Sequence, residues 1–198
     1  MWLIYIVACW LVLPQAFGAD AYSEGGYMNE RTGIVTSGGK PVTLLGHEVK
    51  VGDPAPEFTV IDNNMKPATL SEYKGKIIVI SAVPSLDTRV CDIETRRFNQ
   101  EGAKLDTNVV ILTISMDLPF AQKRWCGAAG VDRVITLSDY RDAGFGTAYG
   151  VLMKGVRLLA RSIFIVDRSG VIRYIQMVSD TGHEPDYDAV LAAVKKLQ

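Results

Sequence analysis

Three features of the sequence predict a single α/β domain built on a mixed sheet with helices on both faces. Two β-branched runs, residues 77–83 and 109–115, show little polar alternation, as expected of strands covered on both sides. A helix-compatible stretch follows each run, which gives the alternating order of parallel pairing. Further on, two strand-like runs, 162–166 and 171–178, flank Asp167-Arg168-Ser169-Gly170, an antiparallel hairpin signal with one more helix after it.

The 198 residues suit one domain plus an extension, and an apolar content of 48% is enough for an ordinary core. The 21 Lys and Arg nearly balance the 22 Asp and Glu, which argues against a nucleic-acid footprint and against an acidic tail. No glycine-rich phosphate loop follows either buried run, so Rossmann and P-loop readings lack support. Cys9, Cys91 and Cys126 form no CxxC pair and no zinc spacing, so a disulfide here would be catalytic rather than architectural. His47 and His183 are isolated in sequence and read as surface or capping residues; no metal motif accompanies them.

Taken in order, residues 2–13 are apolar and lead through Pro14 to Ala16-Phe17-Gly18, the pattern of a signal peptide spanning 1–18. The run falls short of the ~20 apolar residues a membrane span needs. Export to the periplasm, with no stable membrane association after processing, is the expectation, although no Lys or Arg precedes Arg31. An uncleaved anchor, or a cytoplasmic protein started at Met28, are the alternatives. Cys9 would be lost on processing. Residues 19–30 are polar and glycine-bearing, a flexible lead-in to a domain covering 31–198. Residues 33–36 and 41–45 around Ser37-Gly38-Gly39-Lys40 read as a hairpin. Pro54 and Pro56 make the next segment extended. A short strand at 58–61, a turn at 62–64 and a helical turn over 70–73 precede the first buried run. After the second run, Asp117 as cap and Pro119 in the first turn open a helix that Gly127 and Gly130 close. A short strand at 134–137 and a helix over 140–149 follow, and a final helix runs from 185 to 197 with Tyr187, Val190, Leu191 and Val194 on one face.

The chemistry centres on residues 84–91. Pro84 ends the first buried run, Thr88 or Asp87 can cap the helix that follows, and Asp92 and Glu94 place acid near its start. Cys91 then lies in the first turn, where unpaired N–H groups and the helix dipole favour an anion. A cysteine at a helix start serves packing as often as chemistry when taken alone. Its neighbours change the reading. A thiolate attacking an O–O bond needs partial exposure, shielding from bulk water and donors for both peroxide oxygens. Thr88 offers a hydroxyl three residues before the sulfur, and Pro84 an apolar cover.

Pro84-Ser85-Leu86-Asp87-Thr88-Arg89-Val90-Cys91 resembles the active-site motif of the peroxiredoxins. The wider chain is similar to the bacterial thiol peroxidase subgroup in residues 41–46, 117–122, 158–161 and 184–187. The resemblance implies a thioredoxin fold with an N-terminal β-hairpin, reduction of hydrogen peroxide and organic hydroperoxides, and no cofactor. It further implies that Cys91 is the peroxidatic cysteine and Cys126 the resolving one, joined by an intramolecular disulfide during turnover. Arg161 would stabilise the thiolate and orient the peroxide. Thioredoxin or a thioredoxin-like donor would be the reductant, and a homodimer the assembly. Two readings compete: a thiol–disulfide oxidoreductase of the same fold, disfavoured by the missing CxxC, and a non-enzymatic peroxide sensor or relay that passes oxidation to a partner protein.

Overall fold

The structure, a computed structural model, describes residues 29–198, so the apolar run, Cys9 and almost all of the lead-in lie outside the described residues. Four two-residue strands come first: β1 (Glu30–Arg31), β2 (Thr36–Ser37), β3 (Lys40–Pro41) and β4 (Leu44–Leu45). β5 (Thr59–Ile61), β6 (Pro67–Thr69), a 3-10 turn over Leu70–Tyr73, β7 (Ile77–Ala82), α1 (Arg89–Gly102) and β8 (Val109–Ser115) follow. The chain continues with α2 (Pro119–Ala129), β9 (Val134–Ser138), α3 (Gly144–Ala148), β10 (Leu152–Met153), β11 (Ser162–Val166), β12 (Ile172–Met177) and α4 (Tyr187–Lys195).

Seven strands form the main sheet in the order β12-β11-β7-β8-β9-β5-β6. The central three are parallel, with Ile80 beside Leu112 and Leu112 beside Ile135, while β11 and β5 add antiparallel edges. Both predicted buried runs thus sit at the centre. Alternation along them divides the core. Ile77, Val79, Ile111, Ile163 and Ile165 pack under Phe98 of α1 and Val190 and Val194 of α4. Ile78, Ile80, Leu112, Ile114 and Phe164 face the other way, against Phe145 of α3, Tyr149 and the N-terminal segment. Burying each such side chain contributes about 1.5–3 kcal/mol.

The N-terminal hairpin is present as β2 and β3. β4 leaves it to pair with β1 and β10 in a separate three-stranded sheet. That seam brings backbone to backbone: His47 N–H reaches Thr147 O at 2.9 Å, and Gly46, at φ 108°, sits where any Cβ would overlap the Thr147 carbonyl. Glycine is required there on both counts.

Several boundaries differ from expectation. The helix predicted over 140–149 is only five residues, because Asp139 accepts the N–H groups of Phe145 and Gly146 and Ala143 adopts a left-handed φ of 52° just before the first turn. Gly127 lies inside α2, and Gly130, at φ 65°, alone ends it. Leu118 rather than Asp117 is the cap residue of α2. β1, β6 and β10 were not anticipated, and β1 takes Glu30 out of the expected lead-in; β6 carries a proline, and β1 and β10 are two residues long, too short for period-2 alternation to register. His47 and His183 are exposed. Among the described residues no helix is long and apolar enough to cross a membrane.

Asp139, 2% exposed, accepts the first N–H groups of α3 from a buried position. Burial pushes its carboxyl up to about 6, and the N–H groups of Gly146, Phe145 and Gly144 offset that only in part. With its folded value above the unfolded one, its contribution is complete while both forms are protonated and is lost as pH rises through about 6. Wild type should therefore lose roughly 3 kcal/mol relative to Asp139→Asn between about pH 4 and about pH 7.5, measured as paired urea unfolding curves.

Candidate active site

Strand β7 runs out at Ala82, and buried Val83 and Pro84 carry the chain into a loop that turns into α1. Asp117 holds this loop: its carboxylate accepts from Ser85 Oγ at 2.7 Å, Leu86 N–H at 2.8 Å and Ser115 Oγ at 2.7 Å. Its carboxylate is thus spent on the loop, which explains why it does not cap α2. Thr88 is the cap residue of α1, in extended backbone (φ −96°, ψ 146°), yet its hydroxyl bonds no helical N–H. Thr88 Oγ1 instead lies 2.8 Å from Ser85 O and 2.9 Å from Cys91 Sγ. One hydroxyl proton serves one of these acceptors at a time.

Cys91 stands in the first turn of α1, as the sequence predicts, but is 0% exposed where partial exposure was expected. It packs with Val83, Leu86 and Trp125, which close the site on its apolar side.

Arg161 immediately precedes β11, and alternation places it on the face of Ile163 and Ile165, the face that α1 covers. The guanidinium is 1% exposed. Its Nη2 is 3.3 Å from Cys91 Sγ and 2.9 Å from Thr181 O, Nε is 3.2 Å from the same carbonyl, and Nη1 pairs with Glu94 Oε2. Glu94 follows Cys91 by three residues, so one helical face presents sulfur and carboxylate together. Its other oxygen accepts from Ser81 Oγ of β7 at 2.7 Å. Burial pushes the Glu94 carboxyl up, and Arg161 and Ser81 recover only part of that cost. Burial also works against the charge on Arg161, but Glu94 and Cys91 outweigh it and hold the guanidinium above its ordinary value. The charge beside the sulfur is therefore permanent.

Cys126, on α2, is half-buried and borders the same apolar cluster as Cys91. Its Sγ lies 3.2 Å from Thr136 Oγ1 of β9, and Asn63 Nδ2 donates to that hydroxyl at 2.7 Å. With Asn63, Thr136 and Val131 it lines a surface cleft of about 310 Å³. Both thiols are free. The structure thus brings Thr88 and Arg161 onto Cys91, leaves Pro84 buried at the mouth of the loop, and gives Cys126 partners of its own. Among the described residues no cluster of His, Cys, Asp or Glu could hold a metal.

Ser81 and Thr181 escaped the sequence reading, and Glu94 entered it only as acid near the helix start. The spacing of Glu94 from Cys91 could have flagged it; Thr181 acts through its carbonyl and leaves no sequence signal. A hydroxyl and a guanidinium donating to one sulfur form a site that stabilises negative charge on sulfur and on whatever it attacks. Glu94→Ala, which strands the Arg161 charge, is expected to cost roughly 3–5 kcal/mol in urea unfolding, with Glu94→Gln intermediate.

Residues 50–191 match the family model described as Redoxin. Thiol peroxidase of Oceanobacillus iheyensis is 58% identical over 162 residues, 82% of this chain and 98% of that protein. The Bacillus subtilis thiol peroxidase is 54% identical over 163 residues, 82% of this chain and 97% of its own. A peroxiredoxin-like protein from Aquifex aeolicus, solved by crystallography, superposes with a TM-score of 0.79 at 42% identity, covering 87% of this chain and 100% of that one. A thiol peroxidase from Chromobacterium violaceum, 23% identical with a TM-score of 0.72 over 82% of this chain and 95% of that one, shares the fold. The mixed sheet with helices on both faces is accordingly the thioredoxin fold, and the chain belongs to the redoxin family, among its thiol peroxidases.

Proposed function

We propose that this thiol-dependent peroxidase works through Cys91 as peroxidatic and Cys126 as resolving cysteine. The observation that carries the reading is the placement of Cys91 Sγ between Thr88 Oγ1 and Arg161 Nη2, at 2.9 and 3.3 Å. The Cys91 thiolate attacks one oxygen of hydrogen peroxide or an organic hydroperoxide, and the O–O bond breaks. Arg161 and Thr88, its proton turned away from Ser85, donate to the peroxide oxygens and hold the charge on the departing one, which takes up a proton from solvent in place of the one the Cys91 thiol gave up and leaves as water or alcohol. Cys91 becomes a sulfenic acid. Cys126 attacks that sulfur, and an external dithiol protein, thioredoxin or a thioredoxin-like donor, reduces the resulting disulfide.

A disulfide requires Cα atoms within about 7 Å and a free approach of the two sulfurs; with Cys91 in the first turn of α1 and Cys126 on α2 engaged with Thr136, one or both helical segments are expected to unwind locally during turnover. A homodimer is the proposed assembly; Leu118 and Phe120, 51% and 65% exposed at the start of α2, supply apolar surface for it. Export rests on the apolar run at 2–13, and sequencing the mature N-terminus from the native host decides it.

In peroxide consumption with a dithiol protein donor, Cys91→Ser is expected to fall to background, and full activity in that variant would overturn the mechanism. Cys126→Ser should complete the first oxidation but lose donor-supported turnover. Thr88→Val should lower the second-order rate with peroxide by about 100-fold, whereas Thr88→Ser stays near wild type. Amide exchange around both cysteines should be faster in the oxidised protein than in the dithiol; equal protection would refute the unwinding.

A further inference from the structure

Helices α1 and α2 are fastened together one residue away from each cysteine. Trp125, just before Cys126, donates its indole Nε1–H to Oδ1 of Asp92, just after Cys91, at 3.0 Å. Arg96, one turn further along α1, sets Nε 3.0 Å from both oxygens of Asp92 and lies 5.5 Å over the Trp125 ring. Its Nη1 continues to Ala129 O, the last residue of α2, at 2.9 Å. The turn that carries Cys126 is therefore clamped at both ends by side chains from the helix that carries Cys91. Trp125 is only 9% exposed, while the Asp92 and Arg96 side chains stay partly open to solvent at 34% and 43%, so the latch is half-buried.

Resting on the assignment of Cys91 and Cys126 above, we infer that Asp92, Arg96 and Trp125 form a latch whose release sets the pace of disulfide formation. The chemical step itself is simple. Cys126 Sγ bonds to Cys91 Sγ, the S–O bond of the sulfenic acid breaks, and the hydroxyl leaves as water with the Cys126 thiol proton. In the dithiol state the Cys126 sulfur is engaged with Thr136 Oγ1 rather than with Cys91. Unwinding the first turn of α1 displaces Asp92, and unwinding the end of α2 displaces Trp125 and Ala129. Either route to the disulfide breaks the latch. While it holds, the sulfenic acid persists, and a second peroxide can oxidise it to a sulfinic acid, itself reduced to water or alcohol. Asp92, Arg96 and Trp125 are positioning residues for the second step and leave the first to Thr88 and Arg161.

The test uses the full reduced protein mixed with peroxide, quenched at intervals with an alkylating reagent and resolved by mass spectrometry into thiol, disulfide and sulfinic forms. Trp125→Phe keeps the ring and removes the N–H; Arg96→Met keeps the stem and removes the guanidinium. Losing a hydrogen bond to a charged group should bring disulfide formation forward by up to about tenfold and shrink the sulfinic fraction at excess peroxide, with loss of the Cys91 thiol at the wild-type rate in Arg96→Met. Faster disulfide formation in either variant supports the latch. Unchanged or slower formation in both overturns it while leaving the peroxidase assignment intact. No disulfide in wild type would overturn the resolving role of Cys126 and the latch with it.

Discussion

The ion pair between Arg161 and Glu94 is the constraint on which the rest of the site depends. Both side chains are essentially without solvent, at 1% and 0% exposure. A guanidinium at that depth is tolerated only when its donors are matched, and here Glu94, the Thr181 carbonyl and the Cys91 sulfur match them. These partners come from α1 and from the segment after β12, while Arg161 itself enters from the position just before β11 and Ser81 steadies Glu94 from β7. The sulfur acquires its cation only once all of these elements have docked.

Ordinary periodicities do the positioning. Alternation along β7 and β11 turns Ser81 and Arg161 to the face that α1 covers, and the helical repeat brings Glu94 beneath Cys91. Rigid elements hold these groups more tightly than loops could. Cys126 is held differently, by Thr136 and by side chains that reach across from α1. The first cysteine is therefore built into the frame, whereas the second is fastened by a small set of bonds that can open. That division suits the proposed cycle, in which one sulfur waits for peroxide and the other must travel.

The main strands were legible because a strand covered on both faces leaves a continuous β-branched run, and residues 77–83 and 109–115 are such runs. The helix over 140–149 was overread because its residues are helix-compatible, but Asp139 draws its N–H groups to itself and delays the start to Gly144. Asp117 followed by proline has the form of a helix cap, and nothing local reveals that Ser85, Leu86 and Ser115 compete for the carboxylate. Arg161 was assigned through the similarity of its neighbourhood to a known subgroup; by composition it reads as a surface arginine at a strand entrance.

What the sequence by itself determined was local: a buried strand broken by Pro84, a helix beginning at Thr88, and a cysteine in its first turn with a hydroxyl three residues earlier. Those features follow from steric and hydrogen-bonding preferences spanning a few residues. Tertiary structure alone decided that the sulfur is fully buried, that Arg161, 70 positions away, meets it, and that Asp92 is tied to Trp125 across 33. The reason is the strand order. Placing β11 beside β7 and α2 after β8 sets these distant residues against one helix, and no periodicity within a single segment encodes that neighbourhood.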